Sequence, residues 1–218
     1  MTAVAVFSLE AAWAANPHVV VFGRWASVKC VIGTDEEKVI VLKMRSLIVD
    51  GKVKESVVGA SHEVTDRLFV VQRLFRINAS LPEEQGPPRW QWQRGGWLLV
   101  DRMTGRISAI NLPEFDVAYS TASWFRDYAA YCGVSEDGKK AYAVVAQLNR
   151  RKAVVKNLMP GQSANDDRES ESGCGAAAWQ RSPIRVTFQA GSLKQTYAIR
   201  GHVVDLVNDV AEDEEGSK

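Results

Sequence analysis

The densest mixture of aromatic and charged side chains in this 218-residue chain surrounds Asp127. Trp124 and Arg126 lie just before it, and a tyrosine follows it directly. Glycoside hydrolysis uses two carboxylates about 5–10 Å apart, so Asp127 with Glu114 or Asp116 would suit a carbohydrate-active hydrolase. The alternative is a surface pair of Arg126 and Asp127 beside aromatic side chains of the core. The residue types alone leave both interpretations open.

A second candidate site lies in segment 89–97, where Trp90 and Trp92 are separated by one residue. On a strand these two side chains share one face, and the glutamines beside them share the other. Two tryptophans on one face could stack sugar rings or unpaired bases, with Arg94 holding phosphate. Alternatively both face the core. Because a sheet of a globular protein needs one dry face, we predict that both tryptophans are buried.

Complete catalytic, metal and cofactor motifs are missing from the sequence. Segment 62–66 begins like the zinc motif H-E-x-x-H but lacks the second histidine. There is neither a G-x-S-x-G nucleophile motif nor a phosphate-binding G-x-x-x-x-G-K-[ST] loop. The three cysteines form no C-x-x-C pair. The sequence therefore predicts no metal site, cofactor or identifiable catalytic residue, and it favours a protein that is not an enzyme.

Charge is unevenly distributed along the chain, although the formal net charge is only +1. Residues 165–172 carry −3 and residues 209–218 carry −4, which leaves +8 on the remainder. A basic body could bind an anionic partner, with the acidic segments screening it. Alternatively the acidic segments are simply solvated chain. We predict a disordered loop at 160–175 and a disordered tail at 209–218. A protein or carbohydrate partner stays open, and nucleic acid is not favoured.

The first sixteen residues combine an apolar run with an A-x-A pattern at 12–14, as at a signal-peptide cleavage site. Segment 1–16 is therefore either a signal-like segment or an amphipathic N-terminal helix. No apolar stretch is long enough for a membrane span. We expect a secreted or periplasmic protein, with a cytoplasmic one as the alternative. If it is exported, any disulfide should join Cys132 or Cys30 to Cys174.

The elements that must position these residues are short β-strands. From position 17 to 208 the pattern alternates β-branched runs with turn residues, which predicts a single all-β domain. Asp50-Gly51 and Glu136–Gly138 predict hairpins, because type I′ turns favour glycine after Asp or Asn. The strands fall into four groups, at 18–60, 66–112, 119–159 and 177–208.

Two turn segments give a resemblance. Ser135–Ala143 reads S-E-D-G-K-K-A-Y-A, and Leu99–Gly105 reads L-V-D-R-M-T-G. Both resemble turns of bacterial β-propeller blades of the Tol-associated type, and the whole chain resembles a bacterial secreted protein. This resemblance implies an antiparallel, propeller-like meander of about four blades, with a β-sandwich or a closed barrel as the alternative. We expect a non-enzymatic binding or structural module. A carbohydrate-active hydrolase and a single-stranded nucleic-acid-binding protein are the alternatives.

Overall fold

The computed structural model of the protein describes residues 17–31, 39–83, 86–159, 174–200 and 203–207. Within these ranges there are fifteen β-strands and no helix, which confirms the prediction of an all-β protein. No helix in the described ranges could cross a membrane. The segments predicted at 1–16 and 209–218 lie outside the described residues.

The fifteen strands are numbered in the order in which they follow one another along the chain. They are β1 (Val20–Phe22), β2 (Ala26–Val31), β3 (Val39–Val49), β4 (Lys52–Glu63), β5 (Leu68–Asn78), β6 (Trp90–Asp101), β7 (Ile107–Ile110), β8 (Ser123–Phe125), β9 (Tyr128–Val134), β10 (Ala141–Gln147), β11 (Val155–Leu158), β12 (Ala178–Arg181), β13 (Ile184–Ala190), β14 (Leu193–Arg200) and β15 (Val203–Val207).

Both predicted hairpins are confirmed. Asp50 and Gly51 join β3 to β4 with φ of 50° and 74°, the positive values that a type I′ turn requires at both central residues. The β9–β10 turn has Gly138 at φ 68°. There the carboxylate of Asp137 accepts hydrogen bonds from the Ser135 hydroxyl and the Lys139 amide, at 2.5 and 3.2 Å. Local chemistry therefore fixes both turns.

The strands form three sheets. The first has seven strands in the order β1-β3-β2-β6-β5-β4, with β7 added beside β6 and β3 also paired with β4. The second sheet is the antiparallel meander β8 to β11, and the third is the meander β12 to β15. Within the first sheet, β4 to β7 also form a four-stranded antiparallel meander. Three four-stranded meanders therefore follow one another in the chain.

The second sheet is buried on both faces. Alternate residues of its central strands point to opposite sides, as the pleat of a strand dictates. Ala130 and Val145 belong to a core cluster shared with the third sheet, whereas Tyr131 and Val144 belong to a cluster shared with the first sheet. The near-continuous apolar runs of β9 and β10 follow from this double burial.

The cluster that contains Leu47 and Phe69 packs on the other face of the first sheet. The cluster around Cys30 lies on the same face as Val70, farther along the sheet, because its member Val58 pairs with Gln72, two residues from Val70.

The predicted four-bladed propeller is not confirmed, because the first two predicted groups of strands merge into one seven-stranded sheet. That sheet is not a closed barrel either. Its only parallel ladder among the described strands, between β2 and β6, has a single registered pair, Cys30 opposite Trp92. The predicted groups at 119–159 and 177–208 coincide with the second and third sheets.

A disulfide joins Cys132 of β9 to Cys174, whose Cα atoms are 6.1 Å apart. This confirms the predicted pairing of Cys174 with one of the two strand cysteines. Cys30 is fully buried, and burial raises the pKa of its thiol. Of the loop predicted to be disordered, residues 160–173 lie outside the described residues. Cys174 and Gly175 lead directly towards β12.

Candidate functional site

A cavity beside the predicted site residues Arg126 and Asp127 lies between the first and second sheets. It has a volume of about 520 Å³ and adjoins a smaller cavity of about 270 Å³. The two share Leu99, Leu148 and Asn149, so we treat them as one inter-sheet cleft. The larger part is lined by Val64, Thr65, Leu68, Leu99, Arg126, Asp127, Leu148 and Asn149, and the smaller part adds Ser108, Ala109, Ile110, Asn111, Gln147, Arg150 and Arg151.

Turns at one end of the two sheets build the cleft. The β4–β5 turn at 64–67 faces the β8–β9 turn at 126–127 and the loop that begins at Leu148. Two ion pairs tie the turns of the first sheet together. Arg102 holds Glu63 through two nitrogens, at 2.6 and 2.9 Å, and Arg67 binds Asp101. Each arginine lowers the pKa of its partner carboxyl. These four charges neutralise one another beside the cleft.

Beneath the cleft lies a cluster of three rings. Trp124 packs edge-on against Trp97, with ring centroids 5.3 Å apart, and His62 stacks on Trp124 at 6.2 Å. His62 Nε2 lies 2.8 Å from the Arg126 carbonyl oxygen, so Nε2 must carry the proton to donate this bond. Both indole nitrogens are buried and lack a hydrogen-bond partner among the described residues. The cluster fixes the β8–β9 turn but leaves two polar atoms unsatisfied.

Asp127 is held by a neighbouring amide and not by Arg126. Its Oδ2 accepts a hydrogen bond from Gln147 Nε2 at 2.8 Å, and its carbonyl accepts one from the Leu148 amide at 2.9 Å. The other amide atom, Gln147 Oε1, is buried without a partner among the described residues. The surface pair of Arg126 and Asp127 that the sequence suggested is therefore not among the ion pairs formed by the described residues.

Two residues of the cleft have left-handed backbone conformations. Arg126 has φ 52° and Asn149 has φ 65°. Asparagine adopts this region readily, but for arginine it is uncommon and mildly costly. The His62 bond to the Arg126 carbonyl holds that turn in place. Strained residues of this kind cluster at binding sites, so this backbone supports a functional interpretation of the cleft.

The electrostatic balance of the cleft is positive. Arg126, Arg150 and Arg151 line it, and Asp127 is the one carboxylate among its described lining residues. The Arg126 side chain is exposed and lies 5.4 Å from the Phe125 ring. An apolar wall with guanidinium groups at its mouth suits a ligand that carries both an apolar part and a negative charge.

The structure does not bring Glu114 or Asp116 to Asp127. The Glu114 carbonyl accepts a hydrogen bond from Val134, at the far end of β9, and its side chain pairs with Lys156. Asp127 precedes the first residue of that strand. Since a strand rises about 3.3 Å per residue, the two acids are roughly 20 Å apart. Asp116 accepts bonds from the amides of residues 118 and 119, at 2.7 and 2.9 Å.

Trp90, Trp92 and Arg94 lie towards the other end of β6, roughly 17 to 30 Å of strand from the cleft residue Leu99. Trp92 packs on the core cluster that contains Cys30, whereas Trp90 is 54% exposed. The two rings share a face, as predicted, because the guanidinium of Arg76 lies 5.4 and 5.5 Å from their centres. The prediction that both are buried is wrong, because Trp90 is exposed and Trp92 only partly buried where the strand extends beyond the core. Arg94 donates to the Ala118 carbonyl at 3.2 Å.

Several lining residues were missed from the sequence. Thr65 lies in the zinc-like segment 62–66 and Leu99 begins the propeller-like turn segment, but neither was predicted to line a site. Asn149 carries no motif, and Arg151 looks like a charge that keeps a turn soluble. The available signal was the turn pattern at 148–151, which marks a loop directly after an apolar strand. Among the described residues no group of three or more metal-ligating side chains is present. Comparison with protein-family models, curated proteins and solved structures finds no match to this chain. Function must therefore be argued from the cleft.

Proposed function

We propose that the protein is a non-enzymatic binding module that holds an anionic, partly apolar ligand in the inter-sheet cleft. The observation that carries the proposal is the cleft of about 520 Å³, which combines leucine and valine walls with Arg126 at its mouth. Pockets of this size and composition are typical of ligand sites. Hydrolysis of a carbohydrate would need a second carboxylate beside Asp127, and no other carboxylate is present among the described lining residues.

The architecture supports a binding module. We propose that the three meanders are blade-like units packed face to face. The two segments that resemble propeller turns both connect adjacent strands of such a meander, at β9–β10 and β6–β7. Sites between packed sheets are formed by turns, which can vary without disturbing the cores. The cleft has this position.

We also propose that the protein is exported to an oxidising compartment of a bacterium. The Cys132–Cys174 disulfide supports this, because such bonds persist in the periplasm and outside the cell. Thiol labelling of protein isolated from its native host, without reductant, should modify Cys30 alone, and only after denaturation. Labelling of all three cysteines would contradict export.

The cleft is tested with a pair of fluorescent dyes. 8-Anilinonaphthalene-1-sulfonate combines two aromatic units with a negative charge, and N-phenyl-1-naphthylamine has the same rings without the sulfonate. We expect the sulfonate dye to bind more tightly than the neutral dye. The Arg126→Ala substitution should weaken binding of the sulfonate dye about fivefold or more, because a charge-assisted contact is lost. It should leave the affinity for the neutral dye unchanged.

The control variant is Arg181→Ala, which removes the same charge from an exposed position of β12 in the third sheet. It should leave binding of both dyes unchanged. Equal losses in the two variants would show that binding responds to net charge and not to the cleft. Absence of sulfonate binding to the native protein would contradict the proposed ligand chemistry.

A further inference from the structure

The strand β7 forms one wall of the cleft and has an open edge. It pairs with β6 on one side, and no described strand pairs with its other side. Just before β7 begins, the Asp101 amide donates a hydrogen bond to the Arg106 carbonyl at 2.9 Å. Residues 101 and 106 are therefore a hydrogen-bonded pair of the β6–β7 ladder. In an antiparallel ladder, bonded and non-bonded pairs alternate. The register of β7 can therefore be read residue by residue.

Ser108 and Ile110 are the residues of β7 that bond to β6, opposite Leu99 and Trp97. Ile107 and Ala109 occupy the non-bonded positions. Their N–H and C=O groups point away from β6, so two donors and two acceptors are available at the edge. Open groups of this kind are a template for pairing with another chain.

The β7 edge is short, at four residues, and carries no other device against pairing. Natural edge strands carry charges, prolines or bulges, and β7 reads I-S-A-I without any of them. Of the four edge strands of the other two sheets, three carry a charge, Lys156 in β11, Arg181 in β12 and Asp205 in β15, and the fourth, β8, has only three residues. An uncharged edge beside a candidate ligand cleft can accept a strand from a bound peptide.

The side chains beside this edge indicate the charge of the partner. Ser108 and Ile110 line the smaller part of the cleft together with Arg150 and Arg151. A strand added to β7 would direct every second side chain to this same face, because side chains alternate along a strand. Those side chains would meet the two arginines, so negative charge is favoured at alternate positions.

We propose that an extended peptide with acidic residues at alternate positions adds to β7 and directs them into the cleft. This rests on the proposed function, since it names the partner of the same cleft. Another chain would supply the peptide.

The probe is an acetylated hexapeptide of alternating valine and glutamate with a fluorescein label, titrated with the full chain and followed by anisotropy. The control probe replaces glutamate by lysine. Two further versions of the glutamate peptide carry N-methyl groups on backbone nitrogens, one on its valines and the other on its glutamates. We expect the glutamate peptide to bind, the lysine peptide to bind at least about tenfold more weakly, and one N-methyl set alone to abolish binding.

Ala109→Pro tests the edge itself. Its N–H points away from β6, so proline removes the outward donor without breaking a β6–β7 bond. The matched control Ala109→Val enlarges the side chain but keeps the donor. We expect Ala109→Pro to weaken binding of the glutamate peptide at least about tenfold, and Ala109→Val to change this affinity less than about twofold. Arg151→Ala should weaken binding of the same peptide about threefold or more.

The outcomes separate the two proposals. Equal binding of the two peptides, or equal effects of the two N-methyl sets, would overturn strand addition whether or not the proline variant folds. Sulfonate-dye binding that depends on Arg126 would then leave the proposed function standing. If the native protein bound neither the glutamate peptide nor the sulfonate dye, both proposals would be overturned.

Discussion

Two tryptophans at equivalent positions of neighbouring meanders provide a matched test of the unsatisfied indole beneath the cleft. Trp124 lies in β8 and Trp179 in β12, and both are partly buried. The Trp179 indole donates to the Ser123 carbonyl at 3.1 Å, whereas the Trp124 indole nitrogen is buried without a partner among the described residues. Replacing each by phenylalanine therefore removes a satisfied donor in one case and an unsatisfied donor in the other.

The expected magnitudes follow from area and hydrogen bonding. An indole exceeds a phenyl ring by about 40 Å² of surface, so each substitution forfeits about 1 kcal/mol of burial. At Trp179 the lost hydrogen bond adds about 1 kcal/mol, for a total of about 2 kcal/mol. At Trp124 the removal of an unsatisfied buried donor stabilises the folded state by about 1–3 kcal/mol. The Trp124→Phe variant should therefore be as stable as the native protein, or slightly more stable.

The assay is urea denaturation of both variants followed by circular dichroism, which does not depend on the tryptophan that is changed. The free energies of unfolding of the two variants should differ by about 2–4 kcal/mol, with Trp179→Phe the less stable. Equal destabilisation would refute the reasoning, because it would mean that the Trp124 indole gains as much from its surroundings as the Trp179 indole does.

Two further predictions concern pH and the β6 tryptophans. Arg67 lowers the pKa of Asp101, so this carboxylate contributes stability above its unfolded pKa, near 4, and the contribution is lost as the pH falls through the lower folded pKa. Thermal melts should therefore show a smaller loss of Tm between pH 5 and about pH 2 in Asp101→Asn than in the native protein; an unchanged acid profile would contradict this. In urea denaturation Trp92→Ala should cost about 2–3 kcal/mol and Trp90→Ala less than about 1 kcal/mol, because only Trp92 packs on a core cluster. Equal costs would show that Trp90 is also docked.

Local chemistry explains why some of the fold could be predicted. The Asp50-Gly51 hairpin follows from two residues that tolerate positive φ, and the structure places both there. The strands β9 and β10 carry apolar residues at almost every position, which is the pattern of a sheet covered on both faces. Cys174 was expected to pair with Cys132 or Cys30 because a loop can bring its thiol to a cysteine that is fixed in a strand. Each of these inferences needs only neighbouring residues.

The arrangement of the first sheet could not be predicted, because it depends on pairings between distant segments. β3 pairs with β1 and β2 on one edge and with β4 on the other, with an irregularity between Leu47 and Ile48. β2 and β6 meet in parallel although more than fifty residues separate them. Nothing in the alternation of either strand specifies its neighbour. A four-group pattern therefore resembled four blades although two of the groups share one sheet.

The cleft shows the same division between local and distant information. Asp127 was a candidate site residue because of its aromatic and charged neighbours in the sequence, and in the structure it lines the cleft. Its amide partner Gln147 is twenty positions away, and Arg151 comes from yet another turn. Sequence spacing suggested that Asp127 needed a second acid, but register places Glu114 at the opposite end of β9. The same residues therefore change from a hydrolase hypothesis to a binding hypothesis once strand direction is known, because catalysis requires two groups to meet whereas binding requires only a lined cavity.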